Sequence, residues 1–413
     1  MASDEVKATL VNLEDPANAY KDKSVLYSAL LDKITSGSST TRAGDLTNFI
    51  ESILGETLGV VASRALLASA VKAITLLPSP TEKIAVGTSS LTCLEPRVVS
   101  FEEQDAQLRY ILADAYEAQD EWIESAKVLQ GINLESSQRK ISDKDRVETW
   151  VRICRLYLED DDPTTAESYL NRAKNIIYKL PASAGQLKLL FQLSQARIQD
   201  SQRKFLDASS AYHSISFNNS VDEEERLQTL SSAITCAVLA PAGPARSRTL
   251  AKLYKDERAP QVPEYGILEK MFLDRLLSAE EVDKFASGLA PHQVARTSDG
   301  STVLARAVVE HNLLSASRLY ANIGFVELGG LLNLTTERAE ETASAMLQQG
   351  RLTGQIDQVG GVLLFDQTPG SSQPAGRELR KWDAKVQGVA EEVENVASML
   401  MARQPVSLIS MTY

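Results

Sequence analysis

Apolar residues recur along most of this chain at the three- and four-residue steps of amphipathic helices. Residues 1–90 read as helices parted by polar breaks at Ser36, Gly37, Ser38 and Ser39 and again at Pro78, Ser79 and Pro80. Proline stops a helix because it lacks the N–H and restricts the residue before it. From residue 101 the pattern repeats. Leu108, Ile111, Leu112 and Ala115 share one helix face, a polar turn follows at Gln119 and Asp120, and Trp122, Ala126 and Leu129 mark a second helix. Val147, Val151, Cys154 and Leu158 line the next first helix; Asp160, Asp161, Asp162 and Pro163 make the turn; Ala166, Leu170 and Ala173 mark its partner. A third unit carries Leu187, Leu190, Leu193 and Ile198, a turn at Asp200, then Phe205, Ser209 and Tyr212. A fourth covers 222–254, interrupted at 241–244. The period of about 40 residues is that of helical-hairpin repeats. One hairpin cannot bury its own apolar face, so neighbours stack. The expected architecture is mainly α, a right-handed superhelix of tetratricopeptide- or HEAT-like hairpins; the alternative is an irregular helical domain.

Further on the pattern changes. Ile267, Met271 and Leu276, then Val282, Phe285 and Leu289, predict one or two helices within 265–290 that end at Pro291 and His292. After a turn over 298–301 a helix starts at Val303, breaks briefly at His311 and Asn312, and resumes over 313–320. Residues 325–332 predict a short helix, Asn333 and Leu334 a turn, and Thr335 or Thr336 the cap of a helix through Gln349, stopped by Gly350. Two strands follow, 352–357 and 361–365, joined around Val359 and Gly360. Helix, turn, helix and hairpin make a winged helix. Its hairpin edge is the first candidate contact surface: Thr353, Gln355, Asp357, Val362 and Leu364. A Pro-, Gly- and Ser-rich linker leads to the second. Leu379, Trp382, Val386, Val389, Val393, Val396 and Leu400 alternate steps of three and four, a narrow heptad seam expected to join partner helices of other chains, the alternative being a fold back onto its own domain. The expected domains are a repeat arm (1–220), a second domain (221–366, helical over 221–320 and winged-helix over 321–366), a linker (367–377) and a C-terminal bundle helix (378–403).

Composition narrows the chemistry. The net charge of −12 makes nucleic acid a poor partner. Within 325–365 Glu327, Glu337, Glu340, Glu341 and Asp357 outnumber Arg338 and Arg351, so the helix that usually enters a DNA groove would be repelled. Aromatic residues are only 6%, which favours helix on helix over a β-sandwich. Cys93, Cys154 and Cys236 lack CxxC spacing and are expected as free thiols in a reducing compartment. The N-terminus lacks the apolar run of a secretory signal. The apolar stretch 58–77 carries Arg64 and Lys72, so it reads as a buried helix pair and no membrane partner is expected. His213, His292 and His311 are scattered, the last two at expected helix ends in capping or packing roles. No HExxH, phosphate loop, GxGxxG turn after a strand or GxSxG elbow occurs. Catalytic residues, cofactor and metal are all expected to be absent.

Residues 265–366 resemble a PCI domain, the helical and winged-helix module shared by the proteasome lid, the COP-9 signalosome and translation initiation factor three. Within them GILEKMFLDR at 266–275, PHQ at 291–293, EHNLLSAS at 310–317 and IDQ at 356–358 are similar to the fourth-subunit family of the signalosome; residues 1–220 agree mainly in helical pattern. The resemblance implies a non-catalytic scaffold and substrate-sensing subunit in the removal of the ubiquitin-like Nedd modifier from cullins. It implies that the isopeptidase lies in a separate metalloprotease subunit. Implied partners are the other PCI subunits, the metalloprotease-fold pair, and a cullin–RING ligase reached by the N-terminal arm. Cytoplasm and nucleus are the expected locations. A proteasome-lid subunit of the same architecture is the alternative.

Overall fold

The computed structural model describes residues 3–14, 23–36, 39–55, 58–135, 141–296, 300–365, 386–387, 389–390 and 392–397. The chain is a mainly helical, stacked-helix protein with a small sheet near its C-terminal end. It divides into two units, Met1–Ala237 with Glu257–Pro263, and Val238–Asp256 with Glu264–Tyr413.

The first unit opens with α1 (Asp4–Glu14), α2 (Lys23–Ser36), α3 (Ser39–Ile53), α4 (Val60–Thr75) and α5 (Pro80–Leu94). Tyr27, Leu46, Phe49, Ile53, Leu67 and Ile74 are buried together there, and the Tyr27 hydroxyl meets Ser52 Oγ at 3.0 Å. The hairpins follow: α6 (Glu102–Glu117) with α7 (Trp122–Gln130), α8 (Asp143–Glu159) with α9 (Pro163–Ile177), and α10 (Gly185–Ser201) with α11 (Phe205–Ser216). A core shared by α6 to α10 holds Val147, Val151, Cys154, Ala166, Leu170 and Ala173, which are among the residues whose spacing marked the repeat. Fully burying each large aliphatic side chain contributes about 1.5–3 kcal/mol.

All three hairpins turn in the same way. Asp120, Asp161 and Arg203 adopt left-handed backbone, with φ of 59°, 58° and 62°. The next residue's N–H donates to the carbonyl five positions back: Glu121 to Tyr116, Asp162 to Tyr157, Lys204 to Gln199. That is the Schellman closure of a helix, made here without glycine. Asp162 then caps α9, its carboxylate accepting from the Thr164 and Thr165 N–H groups, with Pro163 in the first turn. Arginine links between successive hairpins also recur. Arg152 on α8 reaches Glu117 (2.8 Å) and Asp114 on α6; Arg197 on α10 reaches Glu159 (2.7 Å) on α8. Partly exposed pairs of this kind are worth under about 1 kcal/mol, so the apolar core carries the stacking.

α12 (Glu223–Leu239) leads toward the second unit, which contains α13 (Pro244–Tyr254), α14 (Tyr265–Phe272), α15 (Ala279–Ala286), α16 (Pro291–Val294) and α17 (Val303–Leu319). Two expectations fail here. Pro291 starts a short helix instead of ending one. The predicted break at His311 and Asn312 does not occur, and α17 runs through it unbroken. Both side chains are buried and pinned to the segment after α14: His311 Nε2 donates to the Arg275 carbonyl (2.8 Å), and Asn312 Oδ1 accepts from Leu277 N–H (3.0 Å). Tertiary hydrogen bonds override their weak helix propensity.

The winged helix is β1 (Asn322–Gly324), α18 (Phe325–Leu332), α19 (Thr336–Gln348), β2 (Gly354–Asp357) and β3 (Val362–Phe365). Asn333, at φ 53°, closes α18, Thr335 Oγ1 caps α19, and Gly350 at φ 68° ends it. The sheet has three strands in the order β1-β3-β2, both pairs antiparallel. Leu328, Ala339, Ala343, Met346 and Leu363 form its core.

Candidate functional site

The buried reactive groups are held in unreactive forms. Desolvation pushes the Cys154 thiol up to about 12, away from the thiolate that chemistry needs. Cys236 is likewise raised, by burial and then by the Asp200 carboxylate. His311 is pushed down to about 4 by burial and by the Arg246 cation, so it is a neutral imidazole. It sits mid-helix, not at the expected helix end. Among the described residues no cluster of His, Cys, Asp and Glu could hold a metal ion, and no helix is long and apolar enough to cross a membrane.

The winged helix presents two kinds of surface. Val362 and Leu364 were expected at a sheet edge, but they stand on β3, the central strand, whose backbone is paired on both sides. Gln355 and Asp357 stand on β2, which pairs only with β3 among the described residues; Thr353 directly precedes it. β1 is the second outer strand, read from the sequence as neither strand nor helix. On one face Leu364 lies opposite Asn322 and Gln355, and Val362 opposite Gly324 and Asp357. Leu363 and Phe365 point the other way and are buried. The candidate residues therefore divide into an edge (Gln355, Asp357) and a sheet face on which Leu364 is exposed and Val362 half-buried.

A buried ion pair holds this sheet against the preceding helices of its unit. Glu310 on α17 is 3% exposed. Its Oε2 accepts from the Ala242 N–H (3.0 Å) and from Arg351 Nη1; its Oε1 accepts from Arg351 Nη2 (3.0 Å) and Arg306 Nε (3.2 Å). Arg351 also donates to the Ala242 carbonyl (3.3 Å). Burial alone would raise the Glu310 carboxyl, but Arg351, the Ala242 N–H and Arg306 together hold it below the ordinary carboxylate range. Arg246 nearby is 3% exposed and donates to the Ala240 carbonyl (3.1 Å); desolvation lowers it to about 10. With Arg351 committed to Glu310, the winged-helix surface keeps Arg338 as its one other basic residue, against five acids.

In the C-terminal segment Val386, Val389, Val393 and Val396 are helical and exposed, at 49–63%. Leu379, Trp382 and Leu400 lie outside the described residues, as does the expected linker.

Residues 5–224 match the family model described as PSMD12/CSN4, N-terminal, and residues 272–367 match the PCI domain model. The chain is 51% identical over 406 residues to COP9 signalosome complex subunit 4 of Emericella nidulans, covering 96% of this chain and 98% of that protein. It is 38% identical over 401 residues to the protein of the same name from Drosophila melanogaster, covering 97% and 96%. The Dictyostelium discoideum protein of that name is 43% identical over 377 residues, covering 91% and 92%.

Proposed function

The chain belongs to the COP9 signalosome subunit 4 family of PCI-domain proteins, and on that premise we propose that it is a non-catalytic scaffold and substrate-sensing subunit. It supports removal of the ubiquitin-like Nedd modifier from cullins of cullin–RING ubiquitin ligases. The isopeptidase belongs to a separate metalloprotease subunit. The observation that carries this reading is identity of 38–51% over nearly the whole chain to proteins named as one subunit of that complex.

The domains divide the work. The repeat arm (1–220) reaches toward the cullin–RING substrate. The PCI domain (221–366) joins neighbouring PCI subunits through its winged helix. Beyond the linker (367–377), the C-terminal helix (378–403) enters a bundle with other subunits. The exposed valines of the seam support that placement, since four apolar side chains on one helical repeat gain by covering one another across subunits. The outer strands β1 and β2, each paired only with β3 among the described residues, support the second contact. The complex works in cytoplasm and nucleus. The chain carries no cofactor and binds neither nucleic acid nor membrane.

The test is native mass spectrometry of the tagged chain purified from cells. Signalosome subunits in the eluate, with Nedd-modifier release that the isolated chain lacks, are the expected result. Co-purifying proteasome ATPases would move the chain to the proteasome lid.

A further inference from the structure

The wing that joins β2 to β3 is built against its surroundings. Exposed hairpin turns favour polar residues and glycine. This one places Val359 at its tip, fully exposed at 101%. The tip is nevertheless a fixed turn. Asp357 Oδ1 accepts from the Val359 N–H (3.1 Å) and the Gly360 N–H (3.0 Å). Gly361 supplies left-handed backbone at φ 63°. Gln358 Nε2 donates to Glu340 Oε1 on α19 (2.9 Å), tying the turn to the helix beside it. The Phe325 N–H donates to the Gly361 carbonyl (2.9 Å), which brings the start of α18 alongside, with Val326 71% exposed. Leu364, 42% exposed, stands on the outward face of the sheet behind the tip.

Acids surround this apolar tip. Asp357 lies within the turn and Glu340 is bonded to it. The Glu327 carboxylate lies against Gly324, which pairs with Val362 at the base of the wing. The two basic residues of the module are Arg338 and Arg351, and Arg351 is committed to Glu310. An apolar knob on a rigid turn, collared by carboxylates, fits an apolar recess rimmed by lysine or arginine.

We propose that the wing tip, with Val359, Val326 and Leu364 as its apolar contact, is a docking knob for a neighbouring signalosome subunit that offers a basic-rimmed apolar recess. This rests on the scaffold reading and adds a contact separate from the strand edges and the C-terminal seam. The pre-organised turn makes the knob inexpensive in ordering entropy, and the acid collar makes docking sensitive to salt.

The experiment titrates the full chain against signalosome reconstituted without this subunit, comparing wild type with Val359→Ser and with Val359→Ser plus Val326→Ser. Both side chains are solvent-facing, so the isolated variants melt with wild type. The single variant binds about tenfold more weakly, the size expected of a central contact residue. Wild-type affinity falls as salt rises. Amide exchange at 358–361 slows on assembly. Unchanged affinity of both variants, or unchanged exchange at the wing, overturns the proposal. So does slow exchange in the free chain that deletion of 367–413 relieves, because the chain's own tail would then cover the tip. A seam variant run in parallel keeps the outcomes apart: if it alone fails to assemble, the knob is wrong and the scaffold reading stands.

Discussion

Replacing Glu310 with glutamine removes one charge and almost no volume, and it should loosen the winged helix. The carboxylate satisfies four donors, two on each oxygen: Ala242 N–H and Arg351 Nη1 on Oε2, Arg351 Nη2 and Arg306 Nε on Oε1. In the Glu310→Gln variant one oxygen becomes an NH₂ that can accept from neither donor. The amide turns that group toward Arg306, whose side chain is half exposed and recovers water. Arg351 is only 14% exposed and keeps a buried charge without a counter-charge. Breaking a buried pair from one side costs about 3–5 kcal/mol, and the solvent open to Arg306 places the expected loss near the lower end, about 3 kcal/mol. At about 2–4 °C per kcal/mol for a unit of this size, the melting transition falls by about 6–12 °C. Because the chain has two units, hydrogen exchange over 351–365 is the better readout. It should accelerate while α6–α9 stay unchanged. Pairing Glu310→Met with Arg351→Met should recover part of the loss, since no charge is then left buried. A loss under about 1 kcal/mol, or a double variant worse than the single one, would refute the claim that this pair holds the sheet in place.

Acid should also weaken the second unit. The unfolded chain protonates His311 near pH 6.5, whereas the folded chain resists until about pH 4. Stability is therefore full above pH 6.5 and falls by about 3 kcal/mol as pH drops to 4; a pH series of melts should show that slope, and His311→Asn should flatten it. Leu363→Ala empties a fully buried site on the central strand and should cost about 2–5 kcal/mol by denaturant titration. Val389→Asp with Val393→Asp changes two exposed positions, so the isolated chain should keep its stability within about 0.5 kcal/mol. The same variant should drop out of the complex on gel filtration, because an unpaired charge at a packed seam is costly.

Much of this architecture was legible in local spacing. The apolar residues that marked the repeat, from Val147 to Ala173, are the residues of the observed core. A threonine cap, which is Thr335 of the two candidates, and Gly350 as a stop follow from local residue chemistry alone. The features that escaped depend on distant partners. β1 is three residues with one buried apolar side chain, and it exists because Asn322 pairs with Leu364, far along the chain. That third strand moves Val362 and Leu364 from an edge to the sheet centre. The unbroken α17 depends on His311 and Asn312 reaching the segment after α14. The Glu310–Arg351 pair spans 41 positions and leaves no periodic trace. The left-handed Asp120, Asp161 and Arg203 lack the glycine that usually signals such a turn.

On the scaffold reading this chain provides surfaces and not chemistry. The direct measurement adds the purified chain to signalosome lacking this subunit and follows release of the Nedd modifier from a cullin. The chain alone should release nothing, wild type should restore release, and the Val389→Asp, Val393→Asp variant should not. Release by the chain alone, or full restoration by that variant, would contradict it.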